Sequence, residues 1–257
     1  LKEPEFVEEK ILKQVLEETG KSMIENVNKY KFKVEDYKDY IEMWIHEIKI
    51  PIATSKLIIE NNKTEVTKNI GEEITKIEDY IEQVLFYARS STVEKDYFIN
   101  KCLLKDIVNS VIIRNKELII YNNIEVNLHD LEKTVYTDSK WCIFILNQII
   151  QNSIKYSKKD NKKIEIFSNE SEENVMLYIK DNGIGISDKD ISRVFDKSFT
   201  GQNGRIIGKK STGMGLYLCK KLCDKLDLKI EISSEENIGT LVKITFPINS
   251  YTNLKNK

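Results

Sequence analysis

The sequence predicts an α+β protein: a helical hairpin, paired with a second copy as a four-helix bundle, followed by an α/β sandwich. Three observations predict it. Apolar residues recur at helical spacing through the first ninety positions, one stripe per helix. Beyond them, short alternating runs such as KIEIF (163–167) and VMLYIK (175–180) read as strands, interleaved with helical stretches. Finally, seven of the ten glycines fall between 183 and 215.

Residues 1–33 form a charged helical lead-in with apolar Val7, Ile11, Val15 and Leu16, which Gly20 is expected to interrupt. A second helix runs from about Val34 to Asn61, with Ile41, Ile45, Ile48, Ile52 and Ile59 on one side. A polar turn near 61–69 leads to a third helix near 70–89, carrying Ile70, Ile74, Ile77, Ile81, Val84 and Leu85. These two helices make an antiparallel hairpin spanning 34–92. Its single stripe per helix calls for another hairpin, hence a homodimer. Over 93–250 the expected order is a strand at 97–99, a helix at 103–117, and strands at 123–128 and 134–138. A helix over 140–156 follows, capped by Asp138 or Ser139. Then come the hairpin 163–167/175–180, a helix at 213–226 and a last hairpin, 229–233/240–246. The expected sheet is antiparallel with helices on one face. Residues 251–257 read as a disordered tail.

Forty basic residues against forty-one acidic ones leave a net charge of −1. No basic face argues for nucleic acid as a partner. Cys102, Cys142, Cys219 and Cys223 form no CxxC pair, which favours a reducing compartment. Cys219 and Cys223 share a helix face, either as buried thiols or as half of a metal site, and the two histidines, His46 and His129, both lie far from them in sequence. No run of eighteen apolar residues occurs. With no signal peptide and a leucine at its start, the chain reads as a soluble piece of something longer.

Paired glycines at both ends of a polar loop suit a lidded phosphate site. DNGIG (181–185) follows a strand directly, so Asp181 can accept from the exocyclic amine of a base while Gly183 and Gly185 leave room for the ring. STGMGL (211–216) precedes a helix, whose N-terminal amides face an anion. Within NQIIQNSIKY (147–156), Gln148, Asn152, Lys155 and Tyr156 share one helical face. An amide oxygen for Mg²⁺, an ammonium for phosphate and an aromatic ring are what ATP needs from one wall.

In this order, the motifs N-box, DNGIG, RVFDKSFTG and STGMGL resemble the ATP-binding domain of sensor histidine kinases. The wider class includes type II topoisomerases, Hsp90 chaperones and mismatch-repair ATPases, the Bergerat or GHKL fold. EMWIHEIKIPIA and FDKSFTGQNGR further resemble the bacitracin-sensor type, whose membrane part senses with almost no extracellular loop. The resemblance implies ATP and Mg²⁺ as cofactors, with Asn152 binding the metal and Asp181 recognising adenine. Gly183 and Gly185 become the turn beneath the base. Lys155, Tyr156, Ser211, Thr212, Gly213, Gly215 and Leu216 become further nucleotide contacts, and 197–212 a lid. Gln148 departs from the family's first asparagine, and Ser153 from its usual alanine. The implied partners are a response-regulator receiver domain, a second copy and a membrane ABC transporter. The implied location is the cytoplasmic side of the cell membrane, and the implied role an antimicrobial-peptide or envelope-stress response.

His46, in WIHEIKIP (44–51), lies away from the isoleucine stripe and so faces solvent. Alone it would be an ordinary surface histidine; beside an ATP site it is the phosphoryl acceptor, since neutral imidazole is a good nucleophile near neutral pH. Glu47 can take a ring proton. Pro51 removes one backbone bond to Glu47, so the helix is expected to kink there. Ile50, Ala53 and Leu57 share the His46 face, either as a receiver-domain docking strip or as a contact with the chain's own ATP domain or lead-in helix. Isoleucine at position 50 stands where many such kinases carry Thr or Asn, used to orient water in phosphatase chemistry, so weak phosphatase activity is expected. Three other readings stand beside histidine autophosphorylation: a serine kinase of the same fold, an ATP-driven clamp, and a scaffold with a degenerate site.

Overall fold

The computed structural model describes residues 6–91, 97–201 and 212–248. The chain forms two compact units, divided after residue 95.

The first unit is helical. Helix α1 (Val7–Asn61) continues through Gly20 without interruption, so the expected lead-in and first hairpin helix are one element of 55 residues. A helical glycine costs about 1 kcal/mol against alanine, which flanking turns of good helix formers absorb. The helix also runs through Pro51. Beyond it, Thr54 Oγ1 donates to the Ile50 carbonyl at 3.1 Å and Ser55 Oγ to the Pro51 carbonyl at 2.8 Å.

Helix α2 (Glu65–Ser91) starts five residues earlier than the apolar spacing suggested. The cause is a reciprocal cap: Thr67 N–H donates to Thr64 Oγ1 at 3.1 Å, and Thr64 N–H to Thr67 Oγ1 at 2.8 Å. Ile45 and Ile52 of α1 and Phe86 and Ala88 of α2 are buried. Arg89 Nε meets Glu42 Oε1 at 2.8 Å, and Lys56 pairs with Glu78, both between the two helices. These half-exposed pairs add about 0–1 kcal/mol each, so apolar burial carries the hairpin.

The second unit opens with β1 (Asn100–Leu103), three residues beyond the expected strand, because its partner β3 (Thr134–Thr137) pairs Leu103 with Thr134 and Asn100 with Thr137. The expected helix 103–117 is two, α3 (Leu104–Arg114) and α4 (Lys116–Tyr121). They break at Asn115, a buried residue whose Nδ2 donates to the Val111 carbonyl at 2.9 Å and to Asn147 Oδ1 at 2.7 Å. Asp138 caps α5 (Ser139–Lys155), accepting from Lys140 and Trp141 N–H.

The main sheet has the order β2-β4-β5-β7-β6, built from β2 (Glu125–His129), β4 (Lys163–Glu170), β5 (Asn174–Asp181), β6 (Lys229–Glu235) and β7 (Gly239–Pro247). It is not purely antiparallel: β2 lies parallel to β4. The chain between them crosses through β3 and α5, and a crossover that includes a helix delivers the next strand in the same direction. On the inner face Ile164, Ile166, Leu177, Ile179, Val242, Ile244 and Phe246 are buried. So are Phe144, Ile145 and Ile149 of α5, and Leu218 and Leu222 of α7 (Gly215–Lys225). Each such side chain contributes about 1.5–3 kcal/mol of transfer free energy. A short α6 (Asp188–Ile191) follows β5.

Cys142, Cys219 and Cys223 are free and buried in this unit. Burial pushes the Cys223 thiol up to about 12 and raises the other two. Held as thiols, they are poor nucleophiles.

Candidate functional site

Asp181 ends β5, between Ile164 of β4 and Thr240 of β7. Its Oδ1 accepts from Gly183 N–H at 2.9 Å and from Thr240 N–H at 3.2 Å; its Oδ2 accepts from Ser153 Oγ at 2.9 Å. Desolvation pushes the carboxyl above the ordinary aspartate range, and these three donors pull it back. An ionised carboxylate offers about four lone-pair sites, so one acceptor position on Oδ2 is left for an incoming donor. That is the requirement for binding an exocyclic amine.

The loop after Asp181 is fixed from both sides. Ile184 N–H donates to the Tyr156 carbonyl at 3.0 Å, and Asn237 N–H to the Ile184 carbonyl at 2.8 Å. Ile186 N–H reaches Ser234 Oγ at 2.9 Å. Gly183 is buried against the end of α5. Gly185 has φ +70°, and a Cβ there would lie 2.0 Å from the Glu235 carbonyl oxygen. Only glycine allows that approach.

Lys155 closes α5 and Tyr156 caps it, with the ammonium 5.2 Å from the ring centroid. Partial burial lowers the Lys155 pKa. The side chain of Asn152, one turn earlier, makes no hydrogen bond among the described residues, so its amide oxygen is open to a hard cation. Gln148 is buried on the same helix, its Oε1 set against Gly215.

On the opposite side, Gly213 accepts from Ser198 N–H at 3.1 Å, joining the two ends of the loop between RVFDKSF and STGMGL. Met214 N–H reaches Thr212 Oγ1 at 3.3 Å. Gly215 then opens α7, with Leu216 half-buried in its first turn. The free amides of that turn favour negative charge. Ser211 and residues 202–210 of the proposed lid lie outside the described residues.

Sequence reasoning missed Gly239, Thr240, Ser153 as a partner of Asp181, and Ser234. Ser234 Oγ donates to the Gly239 carbonyl at 2.7 Å and lies 2.9 Å from Thr240 Oγ1. Only Gly239 carried a signal, the turn ENIGT before a strand.

In the helical unit, His46 and Glu47 are exposed on α1, as are Ile50, Ala53 and Leu57.

Residues 137–250 match the family described as histidine kinase-, DNA gyrase B- and HSP90-like ATPase. The chain is 32% identical over 249 residues to the sensor protein BceS of Bacillus subtilis, covering 96% of this chain and 74% of BceS. It belongs to the sensor histidine kinase family. The sensor histidine kinase YxdK of the same organism is 36% identical over 211 residues, covering 80% of this chain. The chain spans 64% of YxdK's own length. Among solved structures, full-length ShkA in complex with AMPPNP aligns with a TM-score of 0.61 at 16% identity, over 81% of this chain and 45% of ShkA. That likeness concerns fold alone. For this sensor-kinase chain, the nucleotide-binding unit therefore has the GHKL architecture, preceded by a helical region.

Proposed function

We propose that the chain is the autokinase core of a two-component sensor: it transfers the γ-phosphoryl of ATP to His46 and then to an aspartate of a response regulator. The observation that carries this reading is an adenine-type carboxylate site, Asp181 with three donors and an open acceptor position, on the same chain as an exposed His46–Glu47 pair. Asp181 reads the base, the loop with Gly183 and Gly185 lies beneath it, and Lys155 and Tyr156 line its edge. Thr212, Gly213, Gly215 and Leu216 face the phosphates, with Ser211 in the lid. Asn152 would hold Mg²⁺, which neutralises charge on the phosphate chain when bound.

A ring nitrogen of His46 attacks the γ-phosphorus, the bond to the β-bridging oxygen breaks, and ADP leaves with that electron pair. Glu47 takes the proton from the other ring nitrogen. The N–P product is high in energy, which suits onward transfer.

In this reading 34–92 is the dimerising phosphotransfer hairpin, 93–250 the catalytic domain and 1–33 the lead-in from a membrane segment. Ile70, Ile77 and Val84, at seven-residue spacing on α2, are 48%, 44% and 47% exposed, a stripe suited to a second copy. Ile50, Ala53 and Leu57 are the proposed receiver-docking strip. No helix among the described residues is long and apolar enough to cross a membrane. We place the chain on the cytoplasmic side of the full-length protein, beside an ABC transporter and in an antimicrobial-peptide or envelope-stress response. The wording of EMWIHEIKIPIA supports that placement.

The test is incubation with labelled ATP and Mg²⁺, wild type beside His46→Gln. Acid-labile, base-stable label that disappears in the variant is the expected result. Label on serine in both proteins, turnover without protein label, or no turnover would each replace the reading with another.

A further inference from the structure

The carboxylate of Asp181 is held unevenly. Oδ1 is saturated by two backbone donors whose positions are fixed by the β5–β7 pairing and the loop turn. Oδ2, the oxygen left to meet a ligand, has one partner among the described residues, the hydroxyl of Ser153 at 2.9 Å. Ser153 is 4% exposed on α5, a helix otherwise packed into the core, so its hydroxyl has a fixed origin. A carboxylate torsion is broad and two-fold, and the backbone bonds to one oxygen leave the plane of the other free to rock.

We propose that Ser153 is a positioning residue that sets the nucleobase selectivity of the site, by locking the plane of the Asp181 carboxylate so that the free lone pair of Oδ2 aims at an exocyclic amine. A hydroxyl has one hydrogen to donate, and Ser153 gives it to Asp181. The pair therefore presents acceptors alone. An adenine amine satisfies the lone pair of Oδ2; a base with a carbonyl at the same ring position sets a further acceptor against it and leaves that lone pair without its donor. Removal of the hydroxyl has two consequences: the carboxylate plane loosens, and a carboxyl already pushed up by desolvation loses one of the bonds that hold it ionised. A protonated carboxyl donates, and the carbonyl oxygen of the other base can accept from it.

This inference rests on the reading of Asp181 as the base-recognising residue, and the experiment separates the two. Binding of ATP, of inosine triphosphate and of inorganic tripolyphosphate is measured by calorimetry on the whole chain, for wild type, Ser153→Ala, Ser153→Cys and Asp181→Asn. Ser153→Ala shortens no apolar contact and suits a helix, and amide exchange across α5 confirms that it folds as wild type. The expected result is that Ser153→Ala weakens ATP about tenfold, the worth of one hydrogen bond to a charged group. It narrows the preference for ATP over inosine triphosphate by a similar factor and leaves tripolyphosphate binding unchanged. Ser153→Cys, of similar volume with a weak donor, falls between alanine and wild type. Equal loss for all three probes means that Ser153 merely supports the pocket, which overturns the proposal. So does an unchanged ATP preference in Ser153→Ala while Asp181→Asn abolishes it. If Asp181→Asn itself binds ATP as wild type does, the underlying assignment of the base site fails, and the inference with it.

Discussion

Gly239 stands against the backbone of Asp181: a Cβ at Gly239 would lie 2.0 Å from the Asp181 carbonyl oxygen. Its φ of +150° is also one that residues with a side chain rarely adopt. This contact brings β7 close enough to β5 for Thr240 N–H to reach the Asp181 carboxylate. Gly239→Ala is therefore expected to lose about 2–3 kcal/mol of local stability through strain and displaced backbone. Amide exchange should rise along β5 and β7 and stay unchanged in α1 and α2, and ATP affinity should fall. Wild-type exchange along β7 would refute the steric argument.

Asp181 puts a charge where solvation is poor, and that gives a second prediction. Because the folded carboxyl titrates above the ordinary aspartate range, the folded state keeps its proton to higher pH than the unfolded chain does. The carboxyl's contribution to stability is therefore largest below the unfolded range. It declines as pH rises through the window up to the folded value, and is flat above that. Asp181→Asn removes this decline while its Oδ1 can still accept from Gly183 and Thr240. The variant should be at least as stable as wild type in denaturant at neutral pH, yet bind ATP about tenfold to a hundredfold more weakly. A protein that is both less stable and unable to bind would point to a structural role for the charge.

How much of this was legible beforehand depends on where the determining force lies. Strands β4, β5 and β7 alternate because one face is buried, so VMLYIK and TLVKITF show their period in any window. The parallel placement of β2 leaves no such trace, because it is set by a crossover through α5 rather than by side-chain pattern. The break at Asn115 is equally silent: IIRNKELII reads as one helix, and the interruption comes from a side chain that turns back to Val111 and across to Asn147. Gly20 misled in the opposite direction, since glycine lowers helix propensity without forbidding the helix. At the site, Asp181 and the paired glycines announce themselves by type and spacing. Thr240 does not, because it contributes a backbone N–H across 59 residues, a service any residue but proline could perform.

The Asn115–Asn147 bond yields a third prediction. Asn147 is fully buried, its Oδ1 accepts from Asn115 at 2.7 Å, and its Nδ2 has no partner among the described residues. Asn115→Ala leaves the buried acceptor unmet, a loss of about 1–3 kcal/mol. Replacing both partners removes the unmet group, so Asn115→Ala with Asn147→Leu should recover part of that loss. Denaturation followed by exchange at α5 amides measures the coupling, and simple additivity of the two changes would show that the bond contributes nothing.

The last prediction concerns hydrolytic dephosphorylation of the proposed regulator. Ile50 lies one turn beyond His46 on α1 and is 55% exposed, so its side chain borders any group docked over the imidazole. Hydrolysis of an aspartyl phosphate needs a water held in line by a hydrogen-bonding group, and a sec-butyl side chain has neither donor nor acceptor. On the proposed function, the ADP-loaded chain should therefore accelerate decay of a phosphorylated receiver domain little or not at all. Ile50→Thr places a hydroxyl at the same helical position and should raise the decay rate about tenfold, the worth of one hydrogen bond to the water. It should leave the first-order rate of His46 labelling by ATP nearly unchanged, because position 50 takes no part in the attack on the γ-phosphorus. Strong acceleration of decay by the unaltered chain would mean that another side chain holds the water, and the search would move to polar residues on the same face, beginning with Thr54.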